Sequence, residues 1–257
     1  MIMSKNTHDA SFTTLHTYET KSTITLQFNH DALQSTMRKS DPFALEFEYT
    51  QVMMAFVVLY ETLPHILLIG LGGGSLSKFC YKYLPQSKIT TVEINPEVIA
   101  HRQTFCIPPN SQRFKIIEAD GAEYLQQKNA ICHAILLDAY DGQGIPPALA
   151  SEAFYQDCYQ ALANEGVLVV NLWRKDANFR RNLDRIHRCF DKKTITVRCQ
   201  SGNEIIFAFK NPQLPDFDEA WKKALWYQTQ TKINFPQFLE DMVLSLKNTW
   251  FYTGQST

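Results

Sequence analysis

The sequence predicts an α/β fold, in which a mostly parallel sheet of seven strands is covered by helices on both faces. The main observation is that short apolar runs alternate with segments of helical periodicity from residue 65 onward. In addition, the segment before this alternation is rich in threonine and aromatic residues, and the segment after it is helical in pattern. We therefore expect an N-terminal β-strand unit (1–45), a central domain (46–210) and a helical C-terminal extension (211–257).

The composition is that of an ordinary globular protein, with 257 residues of which 45% are hydrophobic and 20% are charged. A net charge of −1 provides no field that would attract nucleic acid or an anionic membrane. The longest apolar stretch, 52–60, is about half of the ~20 residues that a bilayer crossing needs. The N-terminus lacks the apolar core of a signal peptide. We expect a cytoplasmic protein without nucleic-acid or membrane partners.

The cysteines and histidines predict no metal site. None of the six cysteines lies in a C-x-x-C pair, and the seven histidines are scattered without the spacing of metal ligands. No metal cofactor is therefore expected.

The first elements are short strands followed by one helix. Alternation between residues 12 and 28 predicts two or three strands of a hairpin-like unit. A long apolar segment after Asp41-Pro42 predicts a helix from about Glu48 to Leu63, and Pro64 would end it.

The alternating region predicts βαβ units. Its apolar runs are read as strands, namely HILLIG, KITTVEI, FKIIEA, CHAILLD and GVLVVNLW. The segments after the first four are read as helices, namely SLSKFCYKYL, PEVIAHRQTF, AEYLQQK and SEAFYQDCYQALA. A further helix, NFRRNLDRIHRCF, precedes the runs TITVRC and EIIFAFK. Because only SGN separates these two runs, they predict a hairpin, so one strand is antiparallel to the rest.

The C-terminal extension predicts two helical segments divided at Pro236. Trp221, Leu225 and Trp226 recur at helical spacing, and we expect them to pack against the rest of the molecule.

The candidate site lies at the carboxyl ends of the strands, where open α/β sheets bind ligands. The first strand ends in a turn that contains Gly70, Gly72 and Gly74 and is followed by Ser75. The dinucleotide pattern G-x-G-x-x-G fails, because Ser75 occupies its last position. Acids follow the next strands: Glu93 ends the second, and Asp120-Gly121 follows the third.

These acids suggest the chemistry of the ligand. A carboxylate at Glu93 suits the two hydroxyls of a ribose, and one at Asp120 can accept from the exocyclic amine of a purine. A ring of negative charge disfavours a pyrophosphate and favours a cation. The ligand that fits is an adenosyl sulfonium, either S-adenosylmethionine or its decarboxylated form.

Asp138 and Asp141 form the most specific pair of acids. Asp138 ends the fourth strand, and Asp141 lies three residues further, in a Gly-rich loop. Two nearby carboxylates can hold an ammonium group and also take its proton. Asp141 has an alternative role in an Asx-turn of that loop.

At these residues the sequence resembles the spermidine synthase family, the polyamine aminopropyltransferases. LLIGLGGGS resembles the family's glycine loop, VEINPEVI its ribose-binding strand end and EADGAEYL its adenine-binding segment. LLDAYDGQGIPPALASEAFY resembles its catalytic loop, and LQSTM and FEYTQVM resemble segments of its amine pocket. The resemblance runs from the N-terminal strands to about Lys210. It implies a class I methyltransferase-like (Rossmann-like) fold and a homodimer.

The resemblance also implies roles for individual residues. Asp138 would be the general base, and Asp141 would hold the attacking amine. The donor, decarboxylated S-adenosylmethionine, would bind through the glycine loop and the two following strand ends, and the amine pocket would include two further side chains. The residues concerned are Gly70, Gly72, Gly74, Ser75, Glu93, Asp120 and Gly121 for the donor, and Gln34 and Tyr49 for the small-molecule amine.

Ser75 is the main departure from the family pattern, which has an aspartate there. That aspartate faces the free ammonium of the aminopropyl group, and a hydroxyl lacks its charge. Thr50, Gln51 and Asn95 depart from the pattern as well. Two alternatives therefore stay open: a methyltransferase that uses intact S-adenosylmethionine, and a non-catalytic nucleoside-binding homologue.

Overall fold

The computed structural model describes residues 15–28, 32–140, 144–213 and 215–250, with the side chains of residues 28, 32–34 and 248–250 left out. The N-terminal unit is an antiparallel sheet of three strands in the order β1-β2-β3. These strands are β1 (Leu15–Glu19), β2 (Thr23–Phe28) and β3 (Ala32–Arg38).

The main sheet has seven strands, as the sequence predicts, in the order β6-β5-β4-β7-β8-β10-β9. The five strands from β6 to β8 pair in parallel, while β10 runs antiparallel to both β8 and β9. The strands are β4 (His65–Ile69), β5 (Lys88–Glu93), β6 (Phe114–Glu118), β7 (Cys132–Leu137), β8 (Leu162–Trp173), β9 (Thr194–Arg198) and β10 (Asn203–Phe209).

Helices connect the strands and cover the sheet. They are α1 (Glu48–Met53), α2 (Ser75–Tyr83), α3 (Pro96–Ala100), α4 (Gly121–Leu125), α5 (Glu152–Ala161), α6 (Phe179–Cys189), α7 (Phe217–Thr231) and α8 (Phe235–Trp250). Two short 3-10 helices, Met54–Leu59 and Pro147–Ala150, complete the described elements. None of the helices in the described ranges combines the length and the apolar character that a membrane crossing requires.

The core forms two layers, one on each face of the sheet. In β4, Ile66 and Leu68 face one layer and Leu67 and Ile69 face the other, because successive side chains of a strand point to opposite faces. The first layer includes the 3-10 helix at 54–59 together with α7 and α8, and the second includes α5 and α6. Strands buried on both faces explain why the apolar runs are continuous rather than alternating.

The predicted helix from Glu48 to Leu63 is only partly correct. The α-helical part ends at Met53, the next six residues form the 3-10 helix, and Tyr60 is already extended. Residues 54–58 are all buried, so neighbouring elements contact this segment on every side and constrain its backbone. Two consecutive β-branched residues, Val57 and Val58, also have low α-helix propensity.

The prediction for the tryptophans of the C-terminal extension is wrong. α7 buries Ala220, Ala224 and Tyr227, whereas Trp221 is 39% exposed and Trp226 is 51% exposed. The small alanine side chains allow α7 to lie close to the 3-10 helix at 54–59. The face of α7 that carries the alanines is therefore buried, and the face that carries the tryptophans is left exposed. Pro236 lies in the first turn of α8, where a proline is tolerated.

The strand order reverses direction at β4, which has β5 on one side and β7 on the other. Such a switch point opens a crevice at the carboxyl edge of a parallel sheet. The loops that follow β4, β5 and β7 therefore meet at one place, and these loops carry most of the residues predicted for the site.

Candidate active site

The glycine loop after β4 requires glycine at its first position. Gly70 has a φ of 96°, and a Cβ there would collide with the carbonyl oxygen of Asp138. Only glycine adopts this conformation at little cost and leaves room for the neighbouring strand end. Gly72 and Gly74 also have positive φ angles, 52° and 69°. The loop thus brings bare backbone beside the strand that carries Asp138.

Ser75 is the first residue of α2, and Gly74 is the N-cap of that helix. The Ser75 hydroxyl lies 3.3 Å from the hydroxyl of Ser35 on β3. A Cβ at Gly73 would also lie 2.5 Å from the Ser35 hydroxyl. The N-terminal sheet therefore closes over the glycine loop, and both side chains that meet there are neutral.

Glu93 is buried at the end of β5 and is held by backbone N–H groups. Its Oε2 accepts from the N–H of Leu71, and its Oε1 accepts from the N–H of Asn95, each at 2.8 Å. Burial raises the pKa of Glu93, and backbone hydrogen bonds from Asn95, Leu71 and Ile94 oppose that rise by stabilising the charged form. Glu93 thus fixes the glycine loop to the neighbouring strand end in addition to lining the crevice.

Asp120 caps the N-terminus of α4. Its Oδ1 accepts from the N–H groups of Ala122 and Glu123, at 2.7 and 3.2 Å. No group among the described residues donates to Oδ2, so this atom is an available acceptor. Gly121 lies against the Ile69 side chain, and a Cβ there would lie 2.5 Å from it. This contact brings the Asp120 loop close to the end of β4.

Asp138 follows β7 and receives donors from two other elements. Tyr49 of α1 donates its hydroxyl to Oδ2 at 3.4 Å, and Asn171 of β8 donates its Nδ2 to Oδ1 at 3.0 Å. Burial raises the pKa of Asp138, and these two hydrogen bonds lower it in part. Burial and the adjacent carboxylate raise the pKa of Tyr49 well above its ordinary value. The result is a carboxylate of increased basicity beside the glycine loop.

Two predicted residues are not placed by the structure. Asp141 lies outside the described residues, as do Gly142 and Gln143 after it. Gln34 belongs to β3, but its side chain is outside the described part. Their roles stay predictions.

Sequence reasoning missed the polar side chains that meet behind Asp138. Asn171 and Asn203 come from adjacent strands, and Tyr140 donates its hydroxyl to the backbone oxygen of Asn171 at 2.9 Å. The available signal was the single asparagine in the apolar run GVLVVNLW, because a buried amide needs partners. The partners themselves lie 33 residues before it and 32 after it, so no local pattern reveals them.

The three other departures from the family pattern have local structural roles. Thr50 donates its hydroxyl to the backbone oxygen of Phe47, and Gln51 donates its Nε2 to that of Leu45. Asn95 caps α3 by accepting from the N–H of Glu97. Each side chain satisfies backbone groups near its own position.

A cavity of about 330 Å³ lies elsewhere, between the 3-10 helix at 54–59 and α8. Its lining includes Tyr60, Phe209 and Leu239, and none of the predicted site residues. Within the described ranges, no group of three or more His, Cys, Asp or Glu side chains is arranged to hold a metal ion.

The fold and the crevice define a protein of the methyltransferase-like α/β class. A spermidine synthase in complex with the transition-state analogue AdoDATO superimposes with a TM-score of 0.69 at 23% identity, covering 92% of this chain and 88% of that one. Human methyltransferase-like protein 13 in complex with SAH gives a TM-score of 0.61 at 26% identity, covering 76% of this chain and 93% of that one. Neighbours with this fold thus hold ligands related to S-adenosylmethionine.

The chain belongs to the spermine/spermidine synthase family. The model of the spermine/spermidine synthase domain matches residues 46–219. A polyamine aminopropyltransferase of Neisseria meningitidis serogroup A is 35% identical over 227 residues, which is 87% of this chain and 86% of that protein. The family expected from the sequence motifs is therefore confirmed.

Proposed function

We propose that the chain transfers an aminopropyl group from decarboxylated S-adenosylmethionine to a diamine of the putrescine type and releases methylthioadenosine. The observation that carries this proposal is the Asp138 carboxylate, which lies beside the glycine loop with two hydrogen-bond donors and a raised pKa. Membership of the spermine/spermidine synthase family supports the same reaction.

The protonation of the acceptor determines what the site must do. An alkylamine with a pKa of ~10.4 is mostly protonated at neutral pH and cannot attack in that form. Asp138 would accept one proton as general base, and Asp141 would hold the ammonium before the transfer. The amine nitrogen then attacks the methylene carbon beside the sulfonium. The new N–C bond forms as the C–S bond breaks, and its electron pair returns to sulfur in a neutral thioether.

The residues of the crevice are suited to the adenosyl part of the donor. The carboxylate oxygens of Glu93 retain acceptor capacity beside their backbone hydrogen bonds, which suits ribose hydroxyls. The Oδ2 atom of Asp120 suits an exocyclic amino group. The bare backbone at Gly70, Gly72 and Gly74 would allow the sulfonium end to approach closely.

A second candidate function is methyl transfer from intact S-adenosylmethionine. The observation in its favour is Ser75, because a neutral residue there tolerates the carboxylate of the intact ligand. The similarity to human methyltransferase-like protein 13 supports the same possibility. A non-catalytic nucleoside-binding homologue is the third.

The deciding experiment offers decarboxylated or intact S-adenosylmethionine, each with putrescine, to the purified chain and measures released products by liquid chromatography. We expect methylthioadenosine from the decarboxylated donor alone, with a rate that falls ~10²–10⁴-fold in Asp138→Asn, the usual contribution of a general base. The matched control is Asp184→Asn, an exposed aspartate on α6, and it should keep the wild-type rate.

Other results would overturn the proposal in distinct ways. S-adenosylhomocysteine formed from the intact donor would favour the methyltransferase. Tight binding of either donor without any product would favour the binding homologue. Undiminished activity of Asp138→Asn would contradict the role of Asp138.

The family membership also supports proposals about the setting of the reaction. We propose a homodimer that works in the cytoplasm on a small-molecule amine, and sedimentation of the purified chain would test the dimer.

A further inference from the structure

A chain of three side chains donates hydrogen bonds in one direction toward Asp138. Ser201 Oγ donates to Asn203 Oδ1 at 2.9 Å, Asn203 Nδ2 donates to Asn171 Oδ1 at 2.8 Å, and Asn171 Nδ2 donates to Asp138 Oδ1 at 3.0 Å. We call Ser201, Asn203 and Asn171 the donor chain. It crosses from the loop before β10, through β10, to β8.

The direction of the donor chain follows from the chemistry of its two ends. An ionised carboxylate only accepts hydrogen bonds, so Asn171 must turn its NH₂ group to Asp138 and its oxygen away. That oxygen needs a donor, which is the NH₂ group of Asn203. The oxygen of Asn203 in turn needs a donor, which the Ser201 hydroxyl supplies. Asn171 is buried, so a reversed amide would place two acceptors face to face without water to separate them.

The start of the donor chain is anchored next to Tyr49. The N–H of Ser201 donates to Oε2 of Glu48 at 3.3 Å, and Glu48 precedes Tyr49 on α1. Tyr49 donates to the other oxygen of Asp138. Together with the α1 backbone that joins Glu48 to Tyr49, these hydrogen bonds form a closed ring that holds both oxygens of Asp138.

We propose that Asn203 is a positioning residue, which acts through Asn171 to keep the NH₂ group of Asn171 on Oδ1 of Asp138 and thereby makes Oδ2 the basic oxygen. This inference rests on the proposed role of Asp138. A proton on Oδ1 would meet the N–H of Asn171, whereas a proton on Oδ2 meets the Tyr49 hydroxyl, which can also accept a hydrogen bond. The proton taken from the amine therefore goes to Oδ2.

Two tyrosines near Asp138 stay neutral during its titration. Burial, followed by the charge of Asp138, raises the pKa of both Tyr49 and Tyr140, and Glu48 lies at the far end of the donor chain. Asp141 lies outside the described residues. Donation from Asn171 favours the ionised form of Asp138, so loss of that donation raises the Asp138 pKa.

The experiment measures the titration midpoint of Asp138 by NMR of its carboxyl carbon, assigned through loss of that signal in Asp138→Asn. Asn203→Leu removes the donor without adding charge, and Asn203→Asp offers an acceptor that reverses the Asn171 amide. We expect the midpoint to rise in Asn203→Leu. In Asn203→Asp it should rise further, which corresponds to about a tenfold higher proton affinity of Asp138. Ser201→Ala, a milder change at an exposed position, should give a smaller rise in the same direction.

The matched control lies two residues beyond the C-terminal end of β10. Asn211 donates to Asn164 at 3.0 Å in a similar asparagine pair on the surface, so Asn211→Leu should leave the midpoint unchanged. The inference is overturned if Asn203→Leu titrates like the wild type, even where Asn203→Asp is shifted, because added charge alone would then account for the shift.

The NMR titration needs no substrate, so it is independent of the proposed function. If the wild type releases methylthioadenosine, the acid limb of its pH–rate profile should move with the NMR midpoint in each variant. A purely structural role for Asn203 would instead lower the rate at every pH without moving that limb. If the wild type releases none, the proposed function fails while the titration still decides the role of the donor chain.

Discussion

Asp138 acquires its chemical character from residues that are distant in the chain. A carboxylate at a strand end is common, but this one has a tyrosine donor from α1 and an amide donor from β8. Burial raises its basicity, while the two donors keep the charged form accessible. The balance between these effects is what makes a carboxylate suitable as a base near neutral pH.

Ser75 is the residue that we propose to discriminate between the two forms of the donor. In Ser75→Asp, a carboxylate replaces the hydroxyl that now faces Ser35, at a helix N-terminus that favours negative charge. A charge-assisted hydrogen bond contributes ~1.5–3 kcal/mol, so we expect tenfold or tighter binding of decarboxylated S-adenosylmethionine. Binding of the intact form should weaken, because its carboxylate would be repelled.

Calorimetric titration with each donor measures the change in affinity in Ser75→Asp. The control is Ser75→Asn, whose side chain has the shape of aspartate but no charge. Methylthioadenosine lacks the aminopropyl tail and should bind all three proteins alike. An equal change in affinity for both donors would contradict a role of position 75 in discriminating between them.

α2 begins directly after the glycine loop and carries a buried cation, Lys78, one turn later. Lys78 is only 1% exposed, and its Nζ donates to the backbone oxygen of Phe105 at 2.8 Å. Burial lowers the pKa of Lys78 to about 8. The segment that supplies this backbone oxygen also packs against the glycine loop, with Phe105 next to Gly73 and Ile107 next to Gly74. Lys78 thus ties the loop at 105–107 to the helix that begins at the glycine loop.

The lowered pKa of Lys78 predicts how stability depends on pH. The charged form of Lys78 is disfavoured in the folded state, so burying it lowers the free energy of unfolding. This destabilisation is fully present below pH ~8 and disappears above ~10.4, the ordinary lysine pKa. Lys78→Met should therefore raise the free energy of unfolding at pH 7 by up to about 3 kcal/mol, less the lost hydrogen bond, and the gain should vanish toward pH 10.5.

Urea unfolding at pH 7, 9 and 10.5 would measure this dependence. Lys82→Met is the control on the same helix, because Lys82 is exposed and its pKa is raised rather than lowered. It should show no gain at pH 7. A gain in Lys78→Met that does not change with pH would come from packing and would refute the electrostatic explanation.

At the scale of the whole molecule, the sheet brings the loops after β4, β5 and β7 to one crevice. The reversal of strand order at β4 sets Gly70 beside Asp138, and hydrogen bonds from Glu93 join the loops after β4 and β5. The N-terminal sheet covers the same edge through Ser35. A ligand that contacts these loops together should stabilise the molecule as a unit, because it binds only the folded state.

Methylthioadenosine should therefore raise the melting temperature of the chain. At a concentration of ~100 times its dissociation constant the added stability is about 2.7 kcal/mol, which corresponds to roughly 5–10 °C for a domain of this size. Glu93→Gln should reduce this rise in melting temperature. The control is Glu118→Gln, which should keep the full rise because Glu118 is exposed at the end of the adjacent strand. Differential scanning fluorimetry with and without the ligand measures the increment separately from any change in the unliganded protein. Equal increments in the two variants would contradict the role of Glu93.

Local patterns in the sequence were sufficient for most of the fold. Runs such as HILLIG and CHAILLD predicted strands at the correct places, because strands buried on both faces must be continuously apolar. The sequence also identified the glycine loop and the acids after the strands, since these features need only the order of residues along the chain. The loop with Asp141 stays a prediction.

Tertiary structure alone decided which side chains meet and which faces are covered. Tyr49, Asn171 and Asn203 gather around Asp138 from elements that are far apart in sequence, so no periodicity could join them. Trp221 and Trp226 are exposed because the small residues of α7 permit closer packing. The segment 54–59 forms a 3-10 helix in which residues 54–58 are all buried, so its conformation depends on its tertiary contacts. The sequence by itself determined the order of the elements and the kinds of groups at the crevice. The contacts between elements determined the pKa, the orientation and the exposure of those groups, because each depends on neighbours that the chain supplies only when folded.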